Sequence, residues 1–219
     1  MLKIEKTIEP SEEQWIMAIE GARNPMNSWH LMDSGVKAWE IEDGYEDEYF
    51  ALGENDRKLM MSLNKGGTEH SKYRRMIPVG VTITAPLYWW KEADTYTVGK
   101  VQNSCSTMHK IHAKEFTLDD FSHEHLVDTG FESIRLLENI IDALNKAREL
   151  FLETKSKAWW WQMIQLLPTS YNQKRTVFLN YEVLAKMYRE RKNHKLDEWH
   201  TFCDWIKTLP YSELITMGE

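Results

Sequence analysis

Residues 103–125 hold a thiol, several hydroxyls and four histidines within a short span of chain. Cys105 lies between Ser104 and Ser106, with Thr107 next and His109 four residues on, in the run VQNSCSTMH. A thiol activated by an imidazole is an arrangement for nucleophilic catalysis, although cysteine enzymes make that pairing in space and not along the chain. The same hydroxyls, together with backbone amides, suit a bound phosphate. His109-x-x-His112 and His123-x-His125 provide enough nitrogen ligands for a tetrahedral zinc. They lack the Cys-x-x-Cys anchor that usually accompanies such a site, and surface or half-buried histidines explain the pattern equally.

Two cationic islands interrupt an otherwise acidic chain. Arg74 and Arg75 form a doublet, and Arg189 and Arg191 belong to the run YRERKNHK. Either would attract an anion, while a solvated helix face with i,i+4 charge pairs explains the second without a ligand. The tryptophan pairs and triplets, Trp89-Trp90 and Trp159-Trp160-Trp161, read as core and interface. Three consecutive ring systems on a helix cannot all face one core, so the triplet predicts a second buried face at a subunit contact.

The elements that position these groups follow from composition and period. A chain of 219 residues, 42% hydrophobic and 12% aromatic, has ample material for a core, and its length suits one domain spanning 1–219. The net charge of −7 argues against a general affinity for a nucleic-acid polymer. Cys105 and Cys203 are the only cysteines, which fits a reducing compartment. The N-terminal run has no secretory pattern and no stretch of 18 apolar residues occurs, so the expectation is a soluble, cytoplasmic protein without a membrane span.

LKIEKTI alternates as a strand, and Pro10, Ser11 and Glu13 open a helix through SEEQWIMAIEGAR. Residues 24–49 are rich in turn formers and acids and read as a long loop with short elements. NDRKLMMSLNKGG is helical and stopped by its glycines; RMIPVGVTITAP alternates as a strand with Pro78 at an edge or opening position. Pro86 occupies the first turn of a helix carrying LYWWKEADTY. Residues 130–168 show a strong helical stripe through Ile134, Leu137, Ile141 and Leu144, too long for one helix, with a break expected at 154–157. Two more helices end the chain after TSYNQKRTVFL. The sum is an α+β, helix-rich fold with a small, mostly antiparallel sheet.

The order and spacing of these pieces resemble the flavin-dependent thymidylate synthases. EGARNP supplies Ala22-Arg23 of that pattern, VTITAP the strand ending in proline, and Leu167-Pro168 with Asn180, Arg189 or Arg191 and Glu198 the C-terminal part. In WWKEADTYTVGKVQNSCSTMH, Lys91 and Glu92 stand at Arg-Gln, and Thr95, Tyr96 and Thr97 at the signature Arg-His-Arg. Asn103 and Ser106 match Asn-Glu-x-Ser-x-Arg-Tyr directly, while Met108 and Ile164 replace two arginines. Thr-Tyr-Thr removes two fixed cations from beside an anionic flavin.

The resemblance implies a homotetramer that transfers one carbon to C5 of deoxyuridylate or a related pyrimidine nucleotide and reduces it. FAD, reduced nicotinamide and a folate donor would take part. It implies a catalytic role for Ser106 in positioning or polarising the substrate and a nucleotide on Asn103, Ser104, His109, Asn180, Arg189 and Arg191; Cys105 beside Ser106 offers a catalytic thiol route that the usual pattern lacks. The flavin would rest on Arg74, Arg75, Lys91, Glu92, Thr95, Tyr96 and Thr97. The alternatives are a nucleotide-binding or assembly protein that keeps the fold without the flavin, and a zinc hydrolase on the histidines.

Overall fold

A computed structural model describes residues 1–40, 46–127, 130 and 132–217. Residues 41–45, inside the segment read as loop, and residue 131, at the start of the long helical run, lie outside the described residues. The fold is helix-rich α+β, with 51% helix and a small antiparallel sheet component. Strands β1 (Lys3–Ile8), β4 (Pro78–Pro86), β5 (Val101–Ser104) and β6 (Asn172–Asn180) form one sheet in the order β1-β4-β6-β5. Strands β2 (Gly35–Glu40) and β3 (Glu46–Ala51) pair antiparallel, Gly35 opposite Ala51.

The chain divides into two compact units. The first comprises Met1–Glu5, Thr82–Thr95 and Gln102–Thr176; the second Lys6–Val81, Tyr96–Val101 and Val177–Glu219. Each of the four sheet strands contributes residues to both.

The core of the first unit is the stripe read from the sequence. Leu137, Ile141, Leu144 and Ala147 of α4 (Ser133–Thr154) meet Met163 of α5 (Lys157–Leu166) and Ile111, Phe116 and Phe121. The break falls at Lys155, whose positive φ of 54° ends α4 before Ser156 caps α5 by accepting from the Ala158 amide. Trp160 and Ile164 pack on this core, whereas Trp159 and Trp161 are 36% and 43% exposed. The tryptophan triplet thus has one face inward and one outward.

In the second unit Trp15, Ala18 and Ile19 of α1 (Glu12–Arg23) are buried, as are Met60 of α2 (Glu54–Lys65) and Trp199, Phe202 and Ile206 of α7 (Asp197–Thr208). Ser11 caps α1 as predicted, but Gln14, not Glu13, closes the capping box: its side chain accepts from the Ser11 amide at 2.9 Å. Glu13 instead accepts from the Ser11 hydroxyl at 2.7 Å. Asn180 caps α6 (Tyr181–Arg191), its Oδ1 accepting from the Val183 amide at 3.0 Å.

Three readings need correction. The segment read as a long loop with short elements contains β2 and β3 as regular strands, for which its turn formers and acids gave no sustained period. Pro86 is the cap of α3 (Leu87–Ala93) and not its first-turn residue, and α3 stops three residues short of Tyr96. TSYNQKRTVFL contains β6, whose inward residues include the polar Gln173 beside Val177 and Leu179, hiding the period. Pro78 opens β4, which lies between β1 and β6 in the sheet, so its missing N–H falls at a strand start.

Candidate functional site

In the first unit, a cleft of about 600 Å³ opens where β5 runs into the Cys105 turn and β6 begins. That volume falls within the range of small-molecule sites. Cys105, Ser106 and Thr107 form one wall, and Tyr171, Asn172, Gln173 and Lys174 another. Ile111 and Phe116 add apolar surface, and Thr84, Lys110, Lys114, Asp119 and Asp120 complete the lining.

The Cys105 wall is held by backbone. The Cys105 amide donates to the Lys174 carbonyl at 2.9 Å, and the Gln173 side-chain amide donates to the Cys105 carbonyl at 2.7 Å. With both main-chain groups fixed, the exposed thiol extends from a defined point. Ser106 has a different task. Its hydroxyl accepts from the amides of His109 (2.8 Å) and Met108 (3.3 Å), which closes the turn. The Trp160 indole N–H then donates to the Met108 carbonyl at 2.8 Å, tying that turn to α5.

The adjoining Tyr171 stretch stands on the aromatic core. The Tyr171 ring meets Phe121 and Phe116 edge-on at 5.6 and 6.2 Å. Burial raises the Tyr171 pKa, and the nearby Asp120 and Cys105 add to the rise. Lys174 pairs with Glu5 at 2.5 Å, and Thr84 donates to Glu5 at 2.7 Å. The Lys174 bond, then that from Thr84, holds the Glu5 carboxyl below its usual range. Lys114 pairs with Asp120, leaving Lys110 and Asp119 exposed, one charge of each sign.

This arrangement provides an aromatic wall for a planar ring, amides for a base edge, ammonium groups for an anion and a thiol at a fixed place. Cys203, by contrast, is 3% exposed, and burial pushes its thiol up to about 11. Iodoacetamide at about pH 8 is therefore expected to add one carbamidomethyl group per chain, on Cys105. Peptide mass analysis reads this directly, and equal labelling of Cys203 would contradict it.

The other sequence-derived candidates have individual placements. Asn103 and Ser104 are exposed on β5, and His109 is exposed in the turn. In the second unit, Arg191 Nε donates to the Tyr96 hydroxyl at 2.9 Å, and its guanidinium lies 4.9 Å from the Trp199 ring centre. Arg189 is exposed on α6. Asn180 is engaged as the helix cap. Arg74 is 3% exposed, 3.7 Å from Glu182, with Nε and Nη2 lacking a hydrogen-bond partner among the described residues; Arg75 is exposed. Lys91 is exposed and Glu92 half-buried on α3.

A flavin dinucleotide requires cations or free donors near its diphosphate. At the signature position Thr95 donates its hydroxyl to the Glu92 carbonyl at 2.7 Å, and Tyr96, 5% exposed, donates to Glu190 at 2.8 Å. Thr97 is exposed and uncharged. These three residues do not fit the group. Nor do the histidines form a metal site: among the described residues no group of three or more His, Cys, Asp or Glu is placed to hold an ion. His123 Nδ1 is engaged with the Phe121 carbonyl at 2.8 Å.

The sequence reading missed Lys110, Lys114, Phe116, Asp119, Asp120, Tyr171 and Lys174. The signal for Tyr171 and Lys174 was the unrecognised strand β6. Among the described residues no helix is long and apolar enough to cross a membrane.

Compared with family profiles and with curated proteins, the sequence matches none. Compared with solved structures, it is similar in fold to the flavin-dependent thymidylate synthase ThyX from Helicobacter pylori complexed with FAD and dUMP. The TM-score is 0.64 at 15% identity, over 99% of this chain and 98% of that one. A second structure of that synthase with FAD and dUMP gives a TM-score of 0.65 at 15% identity, over 98% and 95% of the two chains. The likeness spans both chains almost end to end and establishes the fold.

Proposed function

We propose that this chain binds a pyrimidine nucleotide, deoxyuridylate or a close relative, in the Cys105 cleft and modifies its C5 carbon by one-carbon transfer and reduction. The observation that carries the reading is the cleft itself. It brings Cys105, Ser106, Tyr171 and three lysines to one wall-lined space, in a fold whose solved neighbours hold dUMP. Tyr171 and Phe116 provide the ring surface, Asn172 an amide beside it, and the exposed Lys110 the phosphate charge. Ser106 fixes the turn that presents the thiol.

Reduced nicotinamide and a folate one-carbon donor belong to this reading through the resemblance, as do assembly into a homotetramer and a cytoplasmic location. The exposed Trp159 and Trp161 suit a self-contact. FAD belongs to it on the same ground. Thr95, Tyr96 and Thr97 supply no cation for its diphosphate.

Deoxyuridylate at about 100 times its dissociation constant should stabilise the protein by ~2.7 kcal/mol, a rise of roughly 5–10 °C in melting temperature. An unchanged melting temperature across the pyrimidine nucleotides would refute the reading. A second reading, nucleotide binding without catalysis, draws on the burial of Tyr96. Under it the protein binds deoxyuridylate, purifies colourless, takes up no added flavin and gives no turnover.

A further inference from the structure

A site reads a base with the hydrogen-bonding groups that its own fold leaves unspent. In the Cys105 cleft most are spent. Gln173 is engaged at both ends of its amide, donating to the Cys105 carbonyl and accepting from Arg175 Nε at 2.9 Å. Thr84 gives its proton to Glu5, and Lys174 and Lys114 each pair with a carboxylate. Ser106 accepts two main-chain amides through its hydroxyl oxygen, which leaves only its proton. Asn172 differs from all of these. Its Oδ1 accepts from the Ser122 hydroxyl at 2.9 Å, while its Nδ2 has no hydrogen-bond partner among the described residues.

The orientation of that amide follows from its neighbours. The Met1 main-chain nitrogen, which can donate but not accept, is bonded to the same Ser122 hydroxyl, so the Ser122 proton is left for Asn172. The amide oxygen therefore faces Ser122. The two side chains are held side by side by main chain: the Ser122 amide donates to the Ser170 carbonyl at 2.8 Å, and Phe121 bridges antiparallel to Tyr171. Asn172 lines the cleft and Ser122 does not, which leaves the NH2 group as the face of the amide toward a ligand.

We propose that Asn172, held in this orientation by Ser122, is the residue that selects the base in the cleft, donating to the O4 oxygen of a pyrimidine and rejecting an amino group at the same ring position. This rests on the reading that the cleft holds a pyrimidine nucleotide. Uracil presents an acceptor at position 4, where cytosine presents a donor. Two NH2 groups set against each other are both left unpaired once water is displaced, and neither is compensated. The proton left on Ser106 adds a second donor and no acceptor. Asn172 is thus a specificity-determining residue, and Ser122 is a positioning residue that acts through it.

Calorimetric titration of the full chain with deoxyuridylate and with deoxycytidylate tests this, because the two nucleotides share sugar, phosphate and O2 and differ only along the N3–C4 edge. Wild type is expected to bind deoxyuridylate at least about tenfold more tightly. Asn172→Asp keeps the oxygen that faces Ser122 and turns the outer donor into an acceptor, so the ratio of the two affinities should fall at least about tenfold. The added charge weakens both nucleotides alike and drops out of that ratio. Ser122→Ala frees the amide to turn over and should lower the ratio as well, with circular dichroism showing both variants folded. Binding of both nucleotides by wild type within about twofold would overturn the selection and leave the nucleotide reading standing. A ratio unmoved in Asn172→Asp would do the same, and one unmoved in Ser122→Ala would overturn the role of Ser122. Binding of neither nucleotide by wild type would overturn the underlying reading and this inference with it.

Discussion

Asp56→Ala is expected to lower stability by about 3–5 kcal/mol, because it leaves a buried guanidinium without its counter-charge. Asp56 and Arg23 are almost fully buried, with Arg23 Nε 2.5 Å from Asp56 Oδ1. The other carboxylate oxygen accepts from the amides of Asp33 (3.0 Å) and Ser34 (2.9 Å) and from the Ser34 hydroxyl (2.6 Å). Arg23 in turn donates to the carbonyls of Ser28 and Leu31. One substitution therefore orphans a charge and three donors, each costly to desolvate unpaired. A protein of this size should lose on the order of 10 °C in melting temperature. Urea unfolding measures the free energy, and a loss below about 1 kcal/mol would show that the segment relaxes around the vacancy. The Arg23 that the resemblance marked in EGARNP has a structural task in this network.

Trp199→Ala should cost a similar amount, about 3–5 kcal/mol, by opening a cavity in the second unit. The ring is fully buried, packs edge-on against Phe202 at 5.7 Å and Tyr96 at 6.3 Å, and carries the Arg191 guanidinium on its face. Cation–π contact adds roughly 0.5–2 kcal/mol to the loss. Thermal and urea denaturation check this result, and a near-neutral substitution would contradict it. The same cluster separates two accounts of Arg191. As a nucleotide ligand, the role the resemblance gives it, its alanine variant loses deoxyuridylate affinity at unchanged stability. As the clamp on Tyr96 and Trp199, it loses stability first.

The sequence made legible those parts in which hydrophobic period and capping chemistry agree. The α4 stripe, its break at Lys155, the alternation of Val79, Val81 and Ile83 in β4, and the cap Ser11 are local consequences of side-chain type. Strand β6 was hidden because its inward positions 173 and 175 are polar. They are satisfied only by the tertiary structure: Arg175 lies 4.3 Å from the Trp90 ring centre and pairs with Asp94, while Trp90 donates to the Gln173 carbonyl. No local pattern announces such a strand.

The candidate site divides in the same way. Cys105 and Ser106 were visible as reactive types at close spacing, but their different tasks depend on which hydrogen bonds the turn makes. Lys174, Tyr171 and Lys110 reach the cleft from elements whose proximity is a matter of topology. Tyr96 shows the converse. Its place in the motif pointed to a cofactor, whereas its burial between Glu190 and Arg191 follows from residues about 95 positions away.

Calorimetric titration of deoxyuridylate into wild type and Lys110→Glu tests whether a pyrimidine nucleotide occupies the Cys105 cleft. Lys110 is exposed, so the variant leaves the fold intact while reversing a charge at the proposed phosphate position. Wild type is expected to bind saturably and the variant at least about tenfold more weakly, equivalent to ~1.4 kcal/mol. Absence of binding by wild type, or equal affinity in both proteins, would contradict it.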